Sequence, residues 1–274
     1  MISGEQLQSI ADVSLTSVDI PNLGDRQIYM QQNISLISEM SAERIKEFKS
    51  IFIYTHDLDI FFNKFFTHLN NDTIIISHNS DEGVDDKFVN ILNSEKIKKW
   101  YCQNRIINHP KLVSIPIGLA NSRWPHGDQA AITAVRDQHN LKKYLVYKNF
   151  DINTNSHERM RCDSTTYNNG IQMSSKVDNI QYWQMIRDSV FAISPPGNGI
   201  DCHRIWECLF LGTVPVVKYH ESFSQFKHLP ILFVDNWECV TPAFLKGRVQ
   251  SYIDKFKKIP ELDLQFWKDK INNN

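Results

Sequence analysis

The sequence lacks the features that mark membrane, secreted and nucleic-acid-binding proteins. No apolar run approaches the roughly 20 residues that a membrane-spanning helix needs, and the N-terminus, Met1 to Gln6, has neither the basic nor the apolar block of a secretory signal. The 274 residues include 30 basic and 31 acidic side chains, for a net charge of −1, so the basic excess typical of nucleic-acid-binding surfaces is missing. We therefore expect a soluble, cytoplasmic protein with no membrane anchor and no nucleic-acid partner.

Cysteine is scarce and irregularly spaced. The five cysteines are an odd number and none forms a C-x-x-C pair, which argues against both a disulfide framework and a zinc site. A reducing compartment fits this usage, and we expect no structural metal.

Apolar periodicity then indicates an α/β fold. Short apolar strands alternate with helical patterns, which is typical of parallel sheets covered by helices on both faces. The predicted strands are Ile51 to Tyr54, Thr73 to Ser77, Lys98 to Cys102, Leu112 to Ile115, Tyr144 to Tyr147, Val190 to Ile193, Val214 to Val217 and Ile231 to Val234. Helices are predicted for Leu58 to Leu69, around Phe88 to Leu92, and for Gln129 to His139, Ala243 to Lys257 and Leu262 to Ile271, with a capped helical pattern at 41–50.

A turn-rich stretch at 121–142 interrupts this rhythm and predicts a domain boundary. We expect two Rossmann-like α/β domains, 1–125 and 126–274, facing a cleft. The last helix is left open to pack back toward the first domain. Outside the helical pattern at 41–50, the sequence of residues 1–50 gives the weakest structural signal of the chain, and we assign it no function.

The most informative stretch is a strand, a glycine loop and a helix. The strand ending at Ile193 leads into Ser194-Pro195-Pro196-Gly197-Asn198-Gly199, where prolines and glycines forbid regular structure and expose backbone amides. A helix follows, with Asp201 placed to cap it and Gly212 to end it. Free amides and a helix N-terminus together favour an anion, with phosphate the obvious ligand.

Arg204 and Glu207 lie three residues apart on this helix, so both can face one ligand. A guanidinium suits a diphosphate, and a carboxylate suits the paired hydroxyls of a ribose. A nucleoside diphosphate would satisfy both. The alternative is an ordinary strand-helix-strand crossover in which the two side chains only pair with each other.

Three segments resemble the signature of exostosin-like glycosyltransferases: Ser194-Pro195-Pro196-Gly197, His203-Arg204-Ile205-Trp206-Glu207 and Gly212-Thr213-Val214-Pro215-Val216-Val217. The resemblance is strong over about 30 residues and implies an inverting enzyme of GT-B fold. It also places Arg204 and Glu207 on the donor nucleotide. The chain is similar to soluble forms encoded by large DNA viruses such as chloroviruses, which implies a host-cell cytoplasmic location if the origin is viral.

The resemblance further implies a basic residue that meets the donor phosphates early in the second domain, with Arg159 the first candidate and Arg161 the alternate. The full set of expected donor-binding residues is Asn149, Arg159, Arg161, Ser194, Pro196, Gly197, Asn198, Gly199, His203, Arg204, Glu207 and Lys218. A Rossmann oxidoreductase is disfavoured because Pro-Pro-Gly-Asn-Gly is not the G-x-G-x-x-G fingerprint.

Inverting transfer also needs a base that takes the proton of the acceptor hydroxyl. The acidic loop after the strand Thr73 to Ser77 offers Asp81 first, then Glu82 and His78. The alternative is that the acidic residues of this loop only cap and solvate the next helix.

Two further loops carry possible ligand contacts. Asp57 and Asp59 have the spacing of a divalent-metal motif, although Asp57 as a helix cap is the simpler interpretation. Trp124, with His126 and Asn121, is expected to bind the acceptor through stacking on a sugar face, or else to plug the domain junction.

These observations together predict a metal-independent, inverting glycosyltransferase. Its expected partners are a UDP-linked sugar donor and a glycan or glycoprotein acceptor, and no cofactor is required because Arg204 and the glycine loop already supply positive potential. Two alternatives stay open: a module that binds nucleoside diphosphates without transfer, and a metal-dependent transferase of the GT-A type that uses Asp57 and Asp59.

Overall fold

The computed structural model describes residues 1–17, 34–138, 141–253, 255–256 and 259–273. The chain forms two compact units, Met1–Ile117 with Asp263–Asn274, and Gly118–Leu262. Each unit contains one parallel sheet with helices. The predicted α/β fold class with two parallel sheets is confirmed.

The first unit is built on a six-stranded parallel sheet. Its strands are β1 (Val13–Thr16), β2 (Ile34–Leu36), β3 (Ser50–Tyr54), β4 (Thr73–His78), β5 (Ile97–Cys102) and β6 (Leu112–Ser114), in the spatial order β2-β1-β3-β4-β5-β6. Within its described residues, the α-helices of this unit are α1 (Gly4–Gln8), α2 (Ala42–Ile45), α3 (Leu58–Phe65), α4 (Val89–Asn93) and, from the end of the chain, α11 (Leu264–Asn272).

Alternate residues of β3 point to opposite faces of this sheet. Ile51 and Ile53 join a core that includes Phe61 and Phe65 of α3. Phe52 joins a second core that includes Leu7 of α1 and residues of α11. Both faces of the sheet are therefore buried, which is why β3 and β4 read as unbroken apolar runs.

The second unit has a four-stranded parallel sheet. Its strands are β7 (Tyr144–Tyr147), β8 (Ser189–Ile193), β9 (Val214–Lys218) and β10 (Leu232–Val234), in the spatial order β10-β9-β8-β7. The helices are α5 (Gln129–Asp137), α6 (Ser156–Asn168), α7 (Asn179–Arg187), α8 (His203–Phe210), α9 (Pro242–Lys246) and α10 (Val249–Ile253). Helices α7 and α8 contact each other and the neighbouring strands β8 and β9.

The structure differs from the sequence prediction at several elements. Helix α1 and strands β1 and β2 went unpredicted, since each is too short to show a periodicity. The helix predicted from 243 is two short helices, α9 and α10, and positions 254 and 257 of that prediction lie outside the described residues. The units divide between 117 and 118, earlier than the expected boundary, and residues 263–274 belong to the first unit.

The length and apolarity of the described helices were compared with what a membrane-spanning helix needs. Within residues 1–17, 34–138, 141–253 and the described remainder, none is long and apolar enough to span a bilayer.

Helix α11 is predicted to be essential to the stability of the first unit. Trp267 is 1% exposed and packs in the same core as Ile271 and Tyr101, whose hydroxyl donates to the carbonyl of Lys270 at 2.8 Å. Trp267→Ala should lower the free energy of unfolding by about 3–5 kcal/mol, because it leaves a cavity in a packed core. Urea denaturation followed by circular dichroism measures this, with exposed Asn272→Ala as the control. Equal stability of the two variants would contradict the packing of α11.

Candidate functional site

The glycine loop after β8 is tied to the sheet and to helix α6. Ser194 is fully buried, and its amide donates to the carbonyl of Val216 at 2.9 Å. Asn155, at the start of α6, donates its amide group to the carbonyl of Gly197 at 2.9 Å. The Gly197 amide is used within the loop, on the carbonyl of Gly199 at 3.1 Å. Not every loop amide is therefore available to a ligand.

Helix α8 begins differently from the prediction. Asp201 does not cap it, because the Asp201 carboxylate accepts the indole N–H of Trp206 at 2.8 and 2.9 Å. Cys202 occupies the N-cap position and makes no side-chain capping hydrogen bond. The first turn of α8 is thus left without a side-chain cap beside the loop, which suits an anion.

Two arginines converge beside this loop. The guanidinium carbons of Arg159 and Arg204 lie 5.7 and 5.8 Å from the ring centre of Phe150. Arg159 donates to the backbone carbonyls of Pro196 at 2.8 Å and Asp151 at 2.6 Å. Nε of Arg204 donates to the hydroxyl of Tyr182 at 2.9 Å. The two cations are held in place by neutral groups.

Neither arginine forms an ion pair with a carboxylate anywhere in the part of the chain that the structure describes. Burial lowers the pKa of Arg159, and the neighbouring Arg204 lowers it further. Burial opposes the charge of Arg204 as well, but the groups of Tyr182, Cys202 and Glu207 outweigh it and raise the pKa of Arg204. Both side chains stay cationic at neutral pH, and neither is neutralised by a direct ion pair with a carboxylate among the described residues.

Glu207 is buried on the same helix and is already hydrogen-bonded. Its carboxylate accepts the indole N–H of Trp183 at 3.1 Å and the hydroxyl of Tyr182 at 3.2 Å. Arg204 and Glu207 do not pair directly, contrary to the simple crossover alternative; the Tyr182 hydroxyl bridges them. Burial raises the pKa of Tyr182 well above its ordinary value, which keeps the phenol neutral and able to donate.

The other expected donor residues have varied surroundings. Arg161 lies on the exposed side of α6 and pairs with Glu238 at 3.1 Å, whereas Arg159 contacts the loop. Asn149 donates to the carbonyl of Ser175 at 2.8 Å. Of the two basic candidates on α6, the structure brings Arg159 to the glycine loop. Asn198 lines a cavity with Pro196, Gly197 and Gly199.

That cavity, of about 290 Å³, lies between the glycine loop, the end of β9 and the first turn of α6. Lys218 lines it and pairs with Glu158, whose two oxygens lie 3.1 and 3.2 Å from Nζ. Sequence reasoning missed Glu158. Its position directly before Arg159, in the first turn of the helix after β7, was the available signal.

Two predicted catalytic carboxylates are exposed in the first unit. Asp81 and Glu82 follow β4, and neither side chain has a hydrogen-bond partner among the described residues. Their loop is fixed by Asn104, which donates to the Asp81 carbonyl at 3.2 Å and has a left-handed φ of 55°. The helix-capping alternative applies to Asp85, which accepts the amide of Lys87 at 3.2 Å.

His78 does not fit the role of base. It is 1% exposed, and its two ring nitrogens lie 3.0 Å from Oδ1 of Asn79 and 3.1 Å from the carbonyl of Pro116. Both nitrogens are engaged in the interior of the unit, so neither is available to take a proton from a substrate.

Asp57 and Asp59 have different partners. Asp57 is buried and accepts both the amide and the hydroxyl of Ser17, with 2.9 Å to the amide. It sits at the N-cap position of α3 but makes no capping hydrogen bond, so the predicted cap is wrong. Asp59 is exposed and pairs with Lys87 at 2.9 Å. Within the described residues, no group of three or more His, Cys, Asp or Glu side chains could hold a metal.

The expected acceptor residues form an aromatic row in the second unit. Trp124 is 45% exposed and stacks on His126 with 6.1 Å between ring centres, and His126 lies 6.2 Å from His203. Nδ1 of His203 is 2.8 Å from the carbonyl of Gly118. The Asn121 carbonyl accepts the amide of Trp124 at 3.0 Å. The row connects an exposed tryptophan to the first residue of α8.

Comparisons with known proteins give similarity at the level of the solved structures. No protein-family model matches the chain, and no curated protein matches it. A solved structure of an α1,3-fucosyltransferase with GDP-fucose is similar, with a TM-score of 0.47 and 11% sequence identity over 96% of this chain and 90% of that chain. Membership of the exostosin-like family and a viral origin stay predictions.

The Tyr182 bridge is predicted to hold the arginine site together. Tyr182→Phe removes the group that accepts from Arg204 and donates to Glu207. The free energy of unfolding should fall by about 1–3 kcal/mol, because a buried carboxylate oxygen of Glu207 loses its hydrogen-bond donor. Thermal unfolding checks this, with Tyr167→Phe on the exposed side of α6 as the control. A melting temperature equal to that of Tyr167→Phe would contradict the bridge.

Proposed function

We propose that this chain is a glycosyltransferase of GT-B type that transfers a sugar from a nucleoside-diphosphate donor to a glycan hydroxyl with inversion. The observation that carries the proposal is the pair of guanidinium groups, Arg159 and Arg204, that lack a carboxylate partner among the described residues beside the glycine loop. Two like charges held close together in a partly buried setting repel each other, and an anion between them offsets that repulsion. A diphosphate supplies that charge and suits guanidinium geometry.

In the proposed reaction, an oxygen of the acceptor hydroxyl attacks the anomeric carbon of the donor sugar. The bond between that carbon and the phosphate oxygen breaks, and the nucleoside diphosphate leaves with the bonding electrons. Attack opposite the leaving group inverts the configuration, and the hydroxyl proton passes to a base. Charge develops on the leaving diphosphate, so cations fixed there lower the barrier.

Arg159 and Arg204 would supply this stabilisation without a metal ion. Carbonyls and a phenol hold them before any ligand arrives, so little reorganisation is needed when the charge develops. Glu207 would meet the ribose hydroxyls through its remaining lone pairs. The nucleoside is proposed to be uridine, and the acceptor a glycan or glycoprotein.

Arg204→Ala should weaken binding of the nucleoside diphosphate by about 10- to 150-fold, the range expected when charged hydrogen bonds are lost. Isothermal titration calorimetry with UDP, GDP, ADP and CDP measures this on the wild-type chain and the variant. Arg44→Ala, at an exposed position of the first unit, is the matched control. If the wild type binds none of the four diphosphates, the proposed function fails.

Asp81 is our candidate for the base. Asp81→Asn should lower kcat by about 10²–10⁴-fold, as loss of a general base does, while leaving diphosphate affinity unchanged. Release of the nucleoside diphosphate from a panel of nucleotide sugars and glycan acceptors provides the assay, and Asp86→Asn, exposed in the same loop, provides the control. Unchanged turnover in Asp81→Asn would remove it as the base.

The same assay separates transfer from binding alone. A wild-type chain that binds a diphosphate through Arg204, yet releases none from any donor in the panel, would support the module without transfer activity.

A further inference from the structure

A largely apolar cavity that carries one ion pair adjoins the cationic arginine site in the second unit. We propose that Glu158 and Lys218 form the element that selects the donor sugar, by holding one of its hydroxyl groups in this cavity. The inference rests on the proposed function and names a part of the donor, the uncharged sugar, that the arginines do not recognise.

The lining of the cavity includes two kinds of side chain. Asn155, Glu158 and Lys218 are polar, and Tyr219 and Phe223 are aromatic. The Gly197 segment of the glycine loop contributes to the wall as well, so the cavity is continuous with the loop that Arg159 contacts. A group attached to a diphosphate at this loop would therefore reach the cavity directly.

Glu158 is held rigidly and retains capacity for one more hydrogen bond. Its side chain is 15% exposed. Oε1 accepts from the indole of Trp237 at 2.9 Å and from Lys218 at 3.1 Å, and Oε2 accepts from Lys218 at 3.2 Å. An ionised carboxylate offers about four acceptor positions, so one is left, on Oε2.

Lys218 can donate a further hydrogen bond. An ammonium group has three protons, and the hydrogen bonds of Lys218 within the described residues go to the two oxygens of Glu158. At least one N–H can thus donate to a ligand. A hydroxyl group both accepts and donates, so a single sugar hydroxyl can accept from Lys218 and donate to Oε2 of Glu158.

The charge of the cavity favours a neutral ligand over a phosphate. Glu158 and Lys218 cancel each other, whereas Arg159 and Arg204 have no carboxylate counterpart among the described residues. A phosphate in the cavity would lie against the carboxylate of Glu158. The aromatic lining residues Tyr219 and Phe223 suit the C–H face of a sugar ring. The arginine site and the cavity together match the charged and the neutral part of a nucleotide sugar.

The test compares each diphosphate with its sugar conjugate. Calorimetry would use UDP against UDP-glucose, UDP-galactose, UDP-xylose and UDP-N-acetylglucosamine, and GDP against GDP-fucose and GDP-mannose. For the sugar nucleotide that the wild type binds best, Glu158→Gln should weaken binding by about 10- to 100-fold, with the affinity for the free diphosphate unchanged within about twofold. Lys218→Met, at a more exposed position, should do the same.

Glu238→Gln is the matched control, since it removes an exposed carboxylate that pairs with Arg161 outside the cavity. Thermal unfolding of each variant verifies folding, and Lys218→Met decides the outcome if Glu158→Gln does not fold. Equal loss for the diphosphate and its sugar conjugate would show that the cavity holds the nucleoside, and no loss for either would show that it holds no part of the donor. Both results overturn the inference without contradicting the proposed function. Failure of every diphosphate to bind would instead overturn the proposed function.

Discussion

Two neighbouring guanidinium groups, the buried Arg159 and the half-buried Arg204, make no direct ion pair with a carboxylate in the described chain, and the proposed donor site depends on them. Like charges held near each other in a partly dehydrated setting cost free energy unless something offsets them. The chain offsets part of that cost with backbone carbonyls, the hydroxyl of Tyr182 and the face of Phe150. Glu207 is linked to Arg204 through the Tyr182 hydroxyl and does not pair with it directly, so we expect the site to keep an attraction for an anion.

The parallel sheet explains why these groups meet. Carboxyl ends of parallel strands lie at one edge of the sheet, so the segments after β7, β8 and β9 meet there. Phe150 and Arg159 come from the segment after β7, and the glycine loop with Arg204 follows β8. Lys218 ends β9. Residues separated by about a quarter of the chain thus meet at one edge of the sheet, where the arginines have no direct ion pair and Lys218 is paired with Glu158.

In the first unit, polar residues also follow the carboxyl ends of neighbouring strands. Asn79 and Asn104 both have left-handed φ angles, at the ends of β4 and β5, and Asn104 ties down the loop that carries Asp81 and Glu82. Asparagine tolerates this conformation better than most residues. Asp81 and Glu82 therefore lie on a loop that Asn104 holds by hydrogen bonds, whereas the His78 side chain is buried and contacts the carbonyl of Pro116.

The sequence by itself determined the fold class, because alternating apolar strands and helical patterns depend only on local periodicity. It also determined the position of the glycine loop and the candidacy of Arg204, since glycine, proline and arginine are informative at a strand end, whereas the candidacy of Arg159 came from the resemblance to exostosin-like glycosyltransferases. Only the tertiary structure decided the partners of each charge. It showed that Asp201 binds Trp206 instead of capping α8, that Asp57 binds Ser17, and that Glu158 and Lys218 neutralise each other. Ion pairs and long-range hydrogen bonds join residues far apart in the chain, so no local pattern in the sequence records them.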